Sequence, residues 1–283
     1  APSMNQQMWA AAATVENVAR LSARGVHFLG PAIGDQACGD VGAGRMLEPN
    51  DIADAVVAKM SIASGSLAGV PVLVTAGPTR EAIDPVRFIS NQSSGKMGYA
   101  VAAAAARIGA RVSLISGITG LSAPFGVERI VVESCADMHA AVMCRIAGQK
   151  IFIAAAAVAD YRPATIAEHK IKKSTAAAQL ELVRTSDILA DVAALPRPPF
   201  TVGFAAETTD LHKHARAKLV SKKLQMIAAN QVGVAGSGFD ADHNALAVMW
   251  HGGSREFPLQ SKVQLAANLV DLIAERYRAT SAT

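Results

Sequence analysis

The sequence predicts an α/β fold whose sheet is doubly wound and mostly parallel, with a C-terminal hairpin. Three observations predict it. From Val70 onward, apolar runs of strand length alternate with segments of helix length, each apolar run ends in a polar loop, and near the end two apolar runs flank His251-Gly252-Gly253. Parallel neighbours need a crossover long enough to hold a helix, so strand-helix alternation reads as a parallel sheet.

In order, residues 1 to about 66 carry few convincing strands. Residues 14–23 suit a helix. Pro31, Gly34, Gly39, Gly42, Gly44 and Pro49 punctuate residues 27–49, predicting a long mobile loop with glycine hinges. Asn50 is placed to cap DIADAVVAKM, and ASGSLAG (63–69) reads as a linker.

PVLVTAG then reads as a buried strand, followed by the loop PTREAIDPVRFISN and an Ala-rich helix, YAVAAAAARIGA, with Ser93 or Ser94 as N-cap. RVSLISG, RIVVE and KIFIAAAAVAD are strands, with ADMHAAVMCRIAG a helix between the last two. A helix near 187–195, the strand FTVGFAAE, the helix LHKHARAKLVSKK and the strand QMIAAN continue the alternation. ALAVMW and SREFPLQ form the hairpin, and SKVQLAANLVDLIAERY is an amphipathic final helix. The pattern is Rossmann-like, with no internal repeat.

The 283 residues are 51% hydrophobic and 18% charged, a globular composition. No apolar run approaches the roughly 20 residues of a spanning helix. The opening APSMNQQMW has neither a basic leader nor a secretory apolar region, so a soluble chain without a membrane partner is expected. Three scattered cysteines, Cys38, Cys135 and Cys144, make no disulfide framework or zinc ribbon and fit a reducing cytoplasm. The net charge of +4 is dispersed and aromatics are only 5%, which argues against nucleic acid as partner.

In open α/β sheets ligands bind beyond the carboxyl ends of the strands. That rule gathers Thr79, Arg80, Asp160, Tyr161, Glu207, Thr208 and Asn230 into one crevice with FISNQSSGKMG, residues 88–98. This last stretch opens a helix, whose first N–H groups and partial positive charge suit an anion. Gly95 and Gly98 would let the anion approach the backbone, and Lys96 adds a full charge; an exposed cap with ordinary turn glycines is the other reading.

Neither GxGxxG after the first strand nor GxxxxGK[ST] is present, which disfavours a dinucleotide-dependent dehydrogenase. Asp160 suits a ribose or a turn. On a strand Lys170 and Lys172 share a face, with Lys173 beside them, as phosphate ligands or as edge protection. Lys218 and Lys222 share a helix face, for gripping a polyphosphate or facing solvent. Together these residues are short of acids and rich in cations and backbone donors, which suits nucleoside triphosphate chemistry.

TAGPTREAIDPVRFISNQSSGKMGYA, AAVADYRP, KIKK, VGFAAET and AAN, in this order, resemble the ligase half of the bacterial bifunctional phosphopantothenoylcysteine decarboxylase/phosphopantothenate–cysteine ligase family of coenzyme A synthesis. APSMNQQMW and ACGDVGAGRMLEP resemble the end of its decarboxylase half, a PxMNxxMW motif and a Cys-bearing clamp. The resemblance implies residues 1–66 as a remnant of a flavoprotein-like decarboxylase domain and residues 67–283 as the ligase domain. It places the FMN-binding part and the catalytic His before Ala1, so that the decarboxylase is incomplete here.

It further implies that CTP converts the carboxylate of 4′-phosphopantothenate into an acyl-cytidylate, releasing pyrophosphate, and that the amine of cysteine then attacks. Asn91 would bind the acyl-cytidylate, and Ser93, Ser94, Gly95 and Lys96 the substrate. Ala154, Ala155, Ala156 and Asp160 would hold the nucleotide, Asp160 through the ribose, with Lys170 near the phosphates. Ser186, Asp187, Ile188, Leu189, Phe204, Lys218 and Lys222 would complete the CTP site, with magnesium bridging the phosphates. Asn5 and Cys38 match decarboxylase residues for substrate binding and for protonating the enethiol. The family ligase is dimeric, and the KIKK excursion is a candidate for pairing with a partner chain.

Three departures stand out. Thr185-Ser186-Asp187-Ile188-Leu189 replaces the usual Asn-Pro-Asp-Ile-Leu, Gln231 follows Asn230 where Asp is common, and Gln225 replaces a frequent Asp. An NAD(P)-linked oxidoreductase and a non-catalytic nucleotide-binding module are the competing classes.

Overall fold

The computed structural model describes residues 1–36, 39–61, 65–172, 179–231 and 241–281, and the chain divides into two units, Ala1–Met60 and Ser61–Thr283. The first holds α1 (Gln6–Ala10), α2 (Ala12–Ala23), β1 (Ala32–Asp35), β2 (Val41–Arg45) and α3 (Pro49–Ser61). The stretch expected as a hinged loop instead forms an antiparallel ribbon of β1 and β2. Its glycines serve close approach: a Cβ on Gly44 would lie 2.1 Å from the Met4 carbonyl oxygen, and one on Gly42 would lie 1.9 Å from Gln6 Oε1. Asn50 is not a cap, because α3 begins one residue earlier at Pro49, whose fixed φ and missing N–H suit a first helical position. Ile33 and Val41 stand 80% and 66% exposed on the ribbon.

The second unit runs β3 (Pro71–Ala76), β4 (Arg80–Ala82), β5 (Phe88–Ser90), α4 (Lys96–Arg107), β6 (Arg111–Ser116), β7 (Glu128–Val131), α5 (Cys135–Arg145), β8 (Ile151–Ala154), β9 (Tyr161–Pro163), β10 (Leu182–Arg184), α6 (Ile188–Ala193), β11 (Phe200–Glu207), α7 (Leu211–Ser221), β12 (Met226–Gln231), β13 (His243–Trp250), β14 (Gly253–Ser261) and α8 (Lys262–Ser281). Its eight-stranded sheet has the order β14-β13-β12-β11-β8-β3-β6-β7. The strands from β12 to β7 pair in parallel, and β13 and β14 complete one edge antiparallel. The chain winds outward from β3 through β6 to β7, then returns to β8 on the other side of β3 and winds out through β11 to β12. The order therefore reverses between β3 and β8, where an open α/β sheet leaves its ligand crevice.

Both faces of the sheet are covered, which explains strands that read as continuous apolar runs. Residues of α4 and α8, including Val101, Ala105, Leu265 and Leu269, form one core with Val72 and Val74. Met138 of α5, Val192 of α6 and Leu219 of α7 form the other with Leu73 and Phe152. Leu67 is 1% exposed, and its N–H donates to the Ile108 carbonyl at 3.1 Å, so the later part of the expected linker is anchored in the fold. Residues 63 and 64 of that stretch lie outside the described residues.

Three further expectations change. The loop after β3 contains the antiparallel pair β4 and β5. The strand KIFIAAAAVAD ends at Ala154; beyond it only single backbone bonds to Thr75 and Gly77 and an isolated bridge at Ala157 continue, and by Ala159 a side chain takes over, Thr79 Oγ1 accepting from the Ala159 N–H at 3.0 Å. The N-cap of α4 is neither Ser93 nor Ser94 but Gly95, in the left-handed region at φ 77°; Ser93 Oγ accepts one step earlier, from the Gly95 N–H.

Candidate active site

Two adjoining cavities open beyond the strand ends, sharing Ala156 and Phe204. The larger, about 530 Å³, is lined by residues of the β8 end, the loop before α6, and α7. Its wall is the segment 155–160, held from both sides. Ala155 N–H donates to the Thr75 carbonyl at 3.1 Å, Ala157 N–H to the Gly77 carbonyl at 2.9 Å, and Thr185 Oγ1 to the Ala159 carbonyl at 2.6 Å. Asp187 closes the next turn by capping α6, its Oδ1 accepting from the Ala190 N–H at 3.0 Å. This is the carboxylate retained in the departing TSDIL loop.

Lys218 on α7 and Lys222, its C-cap residue, both line this cavity. Lys222 Nζ pairs with Asp187 Oδ2 at 2.6 Å, and Lys218 Nζ donates to the Phe204 carbonyl at 3.4 Å. Burial, then the neighbouring Lys222, pull the Lys218 pKa below the usual lysine value, against Glu207, Asp160 and Asp187. Burial pushes the Asp187 carboxyl up, but the Lys222 bond, the Ala190 N–H and the charges of both lysines together hold it below the usual carboxylate value. Ala154, Asp160, Ser186, Ile188 and Leu189 line the same space.

The smaller cavity, about 140 Å³, lies at the N-terminus of α4 and takes in Ser93, Ser94, Gly95, Lys96, Ala155 and Asn230. Its glycines answer first to packing. A Cβ on Gly95 would lie 2.9 Å from Thr119 Cγ2 in the loop after β6, and one on Gly98 would lie 2.5 Å from Ala76 Cβ, so Gly98 seats α4 on β3 and Gly95 lets its start pack against that loop. Lys96 Nζ pairs with Asp242 at 2.6 Å.

The expected single crevice is thus two cavities, and not every expected residue enters them. Asn91 lines neither; its Nδ2 donates to the Val158 carbonyl at 2.9 Å, tying the loop after β5 to the wall. Thr79 is buried beneath that wall, Arg80 stacks over Phe88 at 4.6 Å, and Glu207 pairs with His214. Lys170 is exposed and lines neither cavity, and Lys170 and Lys172 are not on a strand. Between them the Ile171 N–H donates to Asp84 Oδ2 at 3.1 Å, and the Arg87 guanidinium donates to the Ile171 carbonyl at 2.9 Å. These tethers to the β4–β5 turn replace a strand ladder. The Arg87 guanidinium holds the buried Asp84 carboxyl well below the usual carboxylate range. Lys173 and Cys38 lie outside the described residues. In the first unit, Asn5 caps α1 through the Gln7 N–H at 2.7 Å and lines a separate cavity of about 650 Å³.

Sequence reasoning passed over Arg184, Asn244 and Lys262 as lining residues. Lys262 carried a usable signal: a lysine opening a helix opposes the helix dipole, so its place needs another reason. Among the described residues no group of three or more His, Cys, Asp or Glu is arranged to hold a metal, and no helix is long and apolar enough to cross a membrane.

Residues 67–277 match the family model of the DNA/pantothenate metabolism flavoprotein C-terminal domain, and residues 1–61 match that of the flavoproteins. The chain belongs to the DNA/pantothenate metabolism flavoprotein family. Among its relatives, the coenzyme A biosynthesis bifunctional protein CoaBC of Vibrio cholerae is 54% identical over 279 residues, 98% of this chain and 69% of that protein. CoaBC of Escherichia coli K12 is 49% identical over 280 residues, with the same coverage of each. A crystal structure of the CoaBC C-terminal domain superposes with a TM-score of 0.66 at 39% identity, covering 76% of this chain and all of that one. The DNA/pantothenate metabolism flavoprotein of Streptococcus pneumoniae shares the fold, with a TM-score of 0.63 at 22% identity, covering 72% of this chain and 98% of that one. Family membership puts the chain in coenzyme A biosynthesis and agrees with the doubly wound sheet.

Proposed function

We propose that this chain, a phosphopantothenate–cysteine ligase of coenzyme A biosynthesis, activates its substrate with CTP in the two adjoining cavities. A carboxylate oxygen of 4′-phosphopantothenate attacks the α-phosphorus of CTP, the bond to the β-phosphate breaks, and pyrophosphate leaves. The cysteine amine then attacks the acyl carbon of the acyl-cytidylate, and CMP departs with the bonding electrons. Such transfers ask for positioning and charge neutralisation more than for covalent help from side chains.

In this reading Lys218 and Lys222 neutralise the triphosphate, Lys222 exchanging Asp187 for a phosphate oxygen. Asp160 takes the ribose, the backbone of residues 154–156 and the Ser186–Leu189 turn hold the rest of the nucleotide, and Phe204 divides it from the second cavity. Ser93 to Lys96 receive the anionic substrate, and Asn91 meets the acyl-cytidylate. Magnesium fits as an ion carried by the triphosphate, with Asp160 or Asp187 supplying a carboxylate, since magnesium needs only one or two alongside substrate phosphates. It would supply charge neutralisation on the leaving pyrophosphate.

We read residues 67–283 as the ligase domain, working as a cytoplasmic homodimer in which the exposed Lys170 segment serves a second copy. Residues 1–66 are read as the end of a decarboxylase domain that uses FMN in the full-length parent. The observation carrying the proposal is the convergence of two half-buried lysines with Asp160 and the Ser186–Leu189 turn in a cavity of nucleotide size, at the point where the strand order reverses. Mixing the protein with CTP and 4′-phosphopantothenate, without cysteine, should release pyrophosphate stoichiometric with protein. No release before cysteine is added would overturn the acyl-cytidylate route.

A further inference from the structure

Asn244 lies in β13 at the wall of the smaller cavity, 6% exposed. The β13–β14 ladder is irregular there: Asn244 stands opposite Gln260 and Leu246 opposite Phe257, so two steps on β13 face three on β14, with Pro258 inside the extra span. Bulges of this kind re-aim side chains. The Ala245 N–H donates to Asn244 Oδ1 at 3.0 Å, and this bond decides which end of the amide faces which way. Nδ2 must point elsewhere, and among the described residues nothing accepts from it. The one fully sealed side-chain atom without a partner among those residues is Gln149 Oε1, so Asn244 Nδ2 is open to the cavity it lines.

What surrounds this donor is cationic. Lys262, also 6% exposed, lines the same cavity with Lys96, whose Nζ pairs with Asp242, and among the described residues no carboxylate is in the lining. Opposite is the first turn of α4, whose earliest intrahelical bond runs from the Tyr99 N–H to the Gly95 carbonyl; the N–H groups before it belong to the helix end. A donor open to a cavity this small is left to water when the cavity is empty, and a ligand oxygen can take the place of that water.

We propose that Asn244 is a ligand-contacting residue that donates from Nδ2 to an oxygen of a phosphoryl group seated between α4, Lys262 and β13. A phosphoryl group offers three oxygens to donors arriving from three directions, and a volume of about 140 Å³ leaves room for little beyond one such group. Both phosphorylated substrates carry this chemistry, and the assignment rests on the ligase reading for their identity.

The test is Asn244→Asp, which keeps the size and the bond from Ala245 N–H while turning the donor into an anionic acceptor. The KM for CTP or for 4′-phosphopantothenate should rise roughly tenfold or more, the scale of a hydrogen bond to a charged group, with the KM for cysteine and the thermal midpoint held. The substrate whose KM rises identifies the source of the phosphoryl group. Unchanged KM values for both, or a rise for cysteine alone, would overturn the proposal. If Asn244→Asp does not fold, Asn244→Leu removes the donor without adding charge and is held to the same two outcomes. Wild-type protein without ligase turnover would sink the ligase reading instead. Calorimetric titration with inorganic pyrophosphate then decides: binding tenfold weaker in Asn244→Asp than in wild type sustains the phosphoryl site, and equal binding or none in wild type overturns it.

Discussion

In the larger cavity the cations are side chains, Arg184 with Lys218 of α7 and Lys222 at its C-cap, and Lys222 is already engaged with Asp187 at 2.6 Å. In the smaller one the donors belong to the first turn of α4, the buried Lys262 and the amide of Asn244, with no carboxylate in the lining among the described residues. Flexible side chains with internal counterions can change partner and protonation when a ligand arrives, whereas helix-end donors are fixed by the packing of α4 on β3. The larger cavity is therefore adjustable and the smaller one pre-formed. Binding in the first should respond to pH and charge, and binding in the second to shape.

Asn91 is the residue whose change should blur this division most, because its amide ties the loop entering α4 to the wall between the cavities. Asn91→Asp sets a carboxylate against the Val158 carbonyl and beside an anionic intermediate. It should cost roughly 3 kcal/mol in the transition state, the scale of losing one preorganised donor, or about a hundredfold in turnover. Steady-state rates beside a thermal melt check it, and wild-type turnover would remove Asn91 from the mechanism.

Lys218→Gln or Lys222→Gln should weaken CTP binding by roughly 1.5–3 kcal/mol, with little change in thermal stability. The preference for CTP over ATP should survive, since a lysine on a phosphate does not read a base. Calorimetry with both nucleotides separates the two statements: unchanged CTP affinity returns α7 to an ordinary charged face, and a lost preference means the base site lies elsewhere.

Gly98→Ala probes the pre-formed side. In an exposed helix the change would help by about 1 kcal/mol, but here the new Cβ meets Ala76 Cβ at 2.5 Å. The expected outcome is a net loss of about 1–2 kcal/mol from overpacking, read by urea unfolding; a stabilised protein would show that α4 can shift on β3.

The smallest effect is a fractional proton. Folding lowers the Lys218 pKa below 10.5, so charging it disfavours the fold at pH below its folded value, and that penalty fades as pH rises toward 10.5. A bound triphosphate reverses the shift. Nucleotide binding should then take up protons at alkaline pH and weaken as pH rises through the folded pKa of Lys218, seen as binding heats that depend on the buffer's ionisation enthalpy. Heats independent of buffer in wild type, or equally dependent in Lys218→Gln, would remove Lys218 as the titrating group.

The strands β3, β6 and β11 were legible because a strand buried on both faces leaves an unbroken apolar run. The end of β8 was not, because Ala155 and Ala156 are as apolar as the strand before them and only contacts from residues 75–79 decide where the ladder stops. The glycines had uses the sequence did not show. Gly42 and Gly44 suggested hinges but lie where Gln6 and Met4 approach the ribbon, and Gly95 and Gly98, read as letting an anion approach, also sit where Thr119 and Ala76 leave no room for a Cβ. A glycine in a sequence signals permission, and the neighbour that uses it is not local.

Alternation, turn residues and helical spacing by themselves determined a doubly wound parallel sheet with an antiparallel edge, and put Lys218 and Lys222 on one face of their helix. Those properties repeat every two or 3.6 residues and need no distant partner. Only the tertiary structure decided that this face turns toward Asp160 and Asp187, that Lys170 stays outside both cavities, and that Asn244 and Lys262 enter one of them. These groups come from segments far apart along the chain, and they meet because the sheet's strand order reverses between β3 and β8, a long-range pairing that no local period encodes.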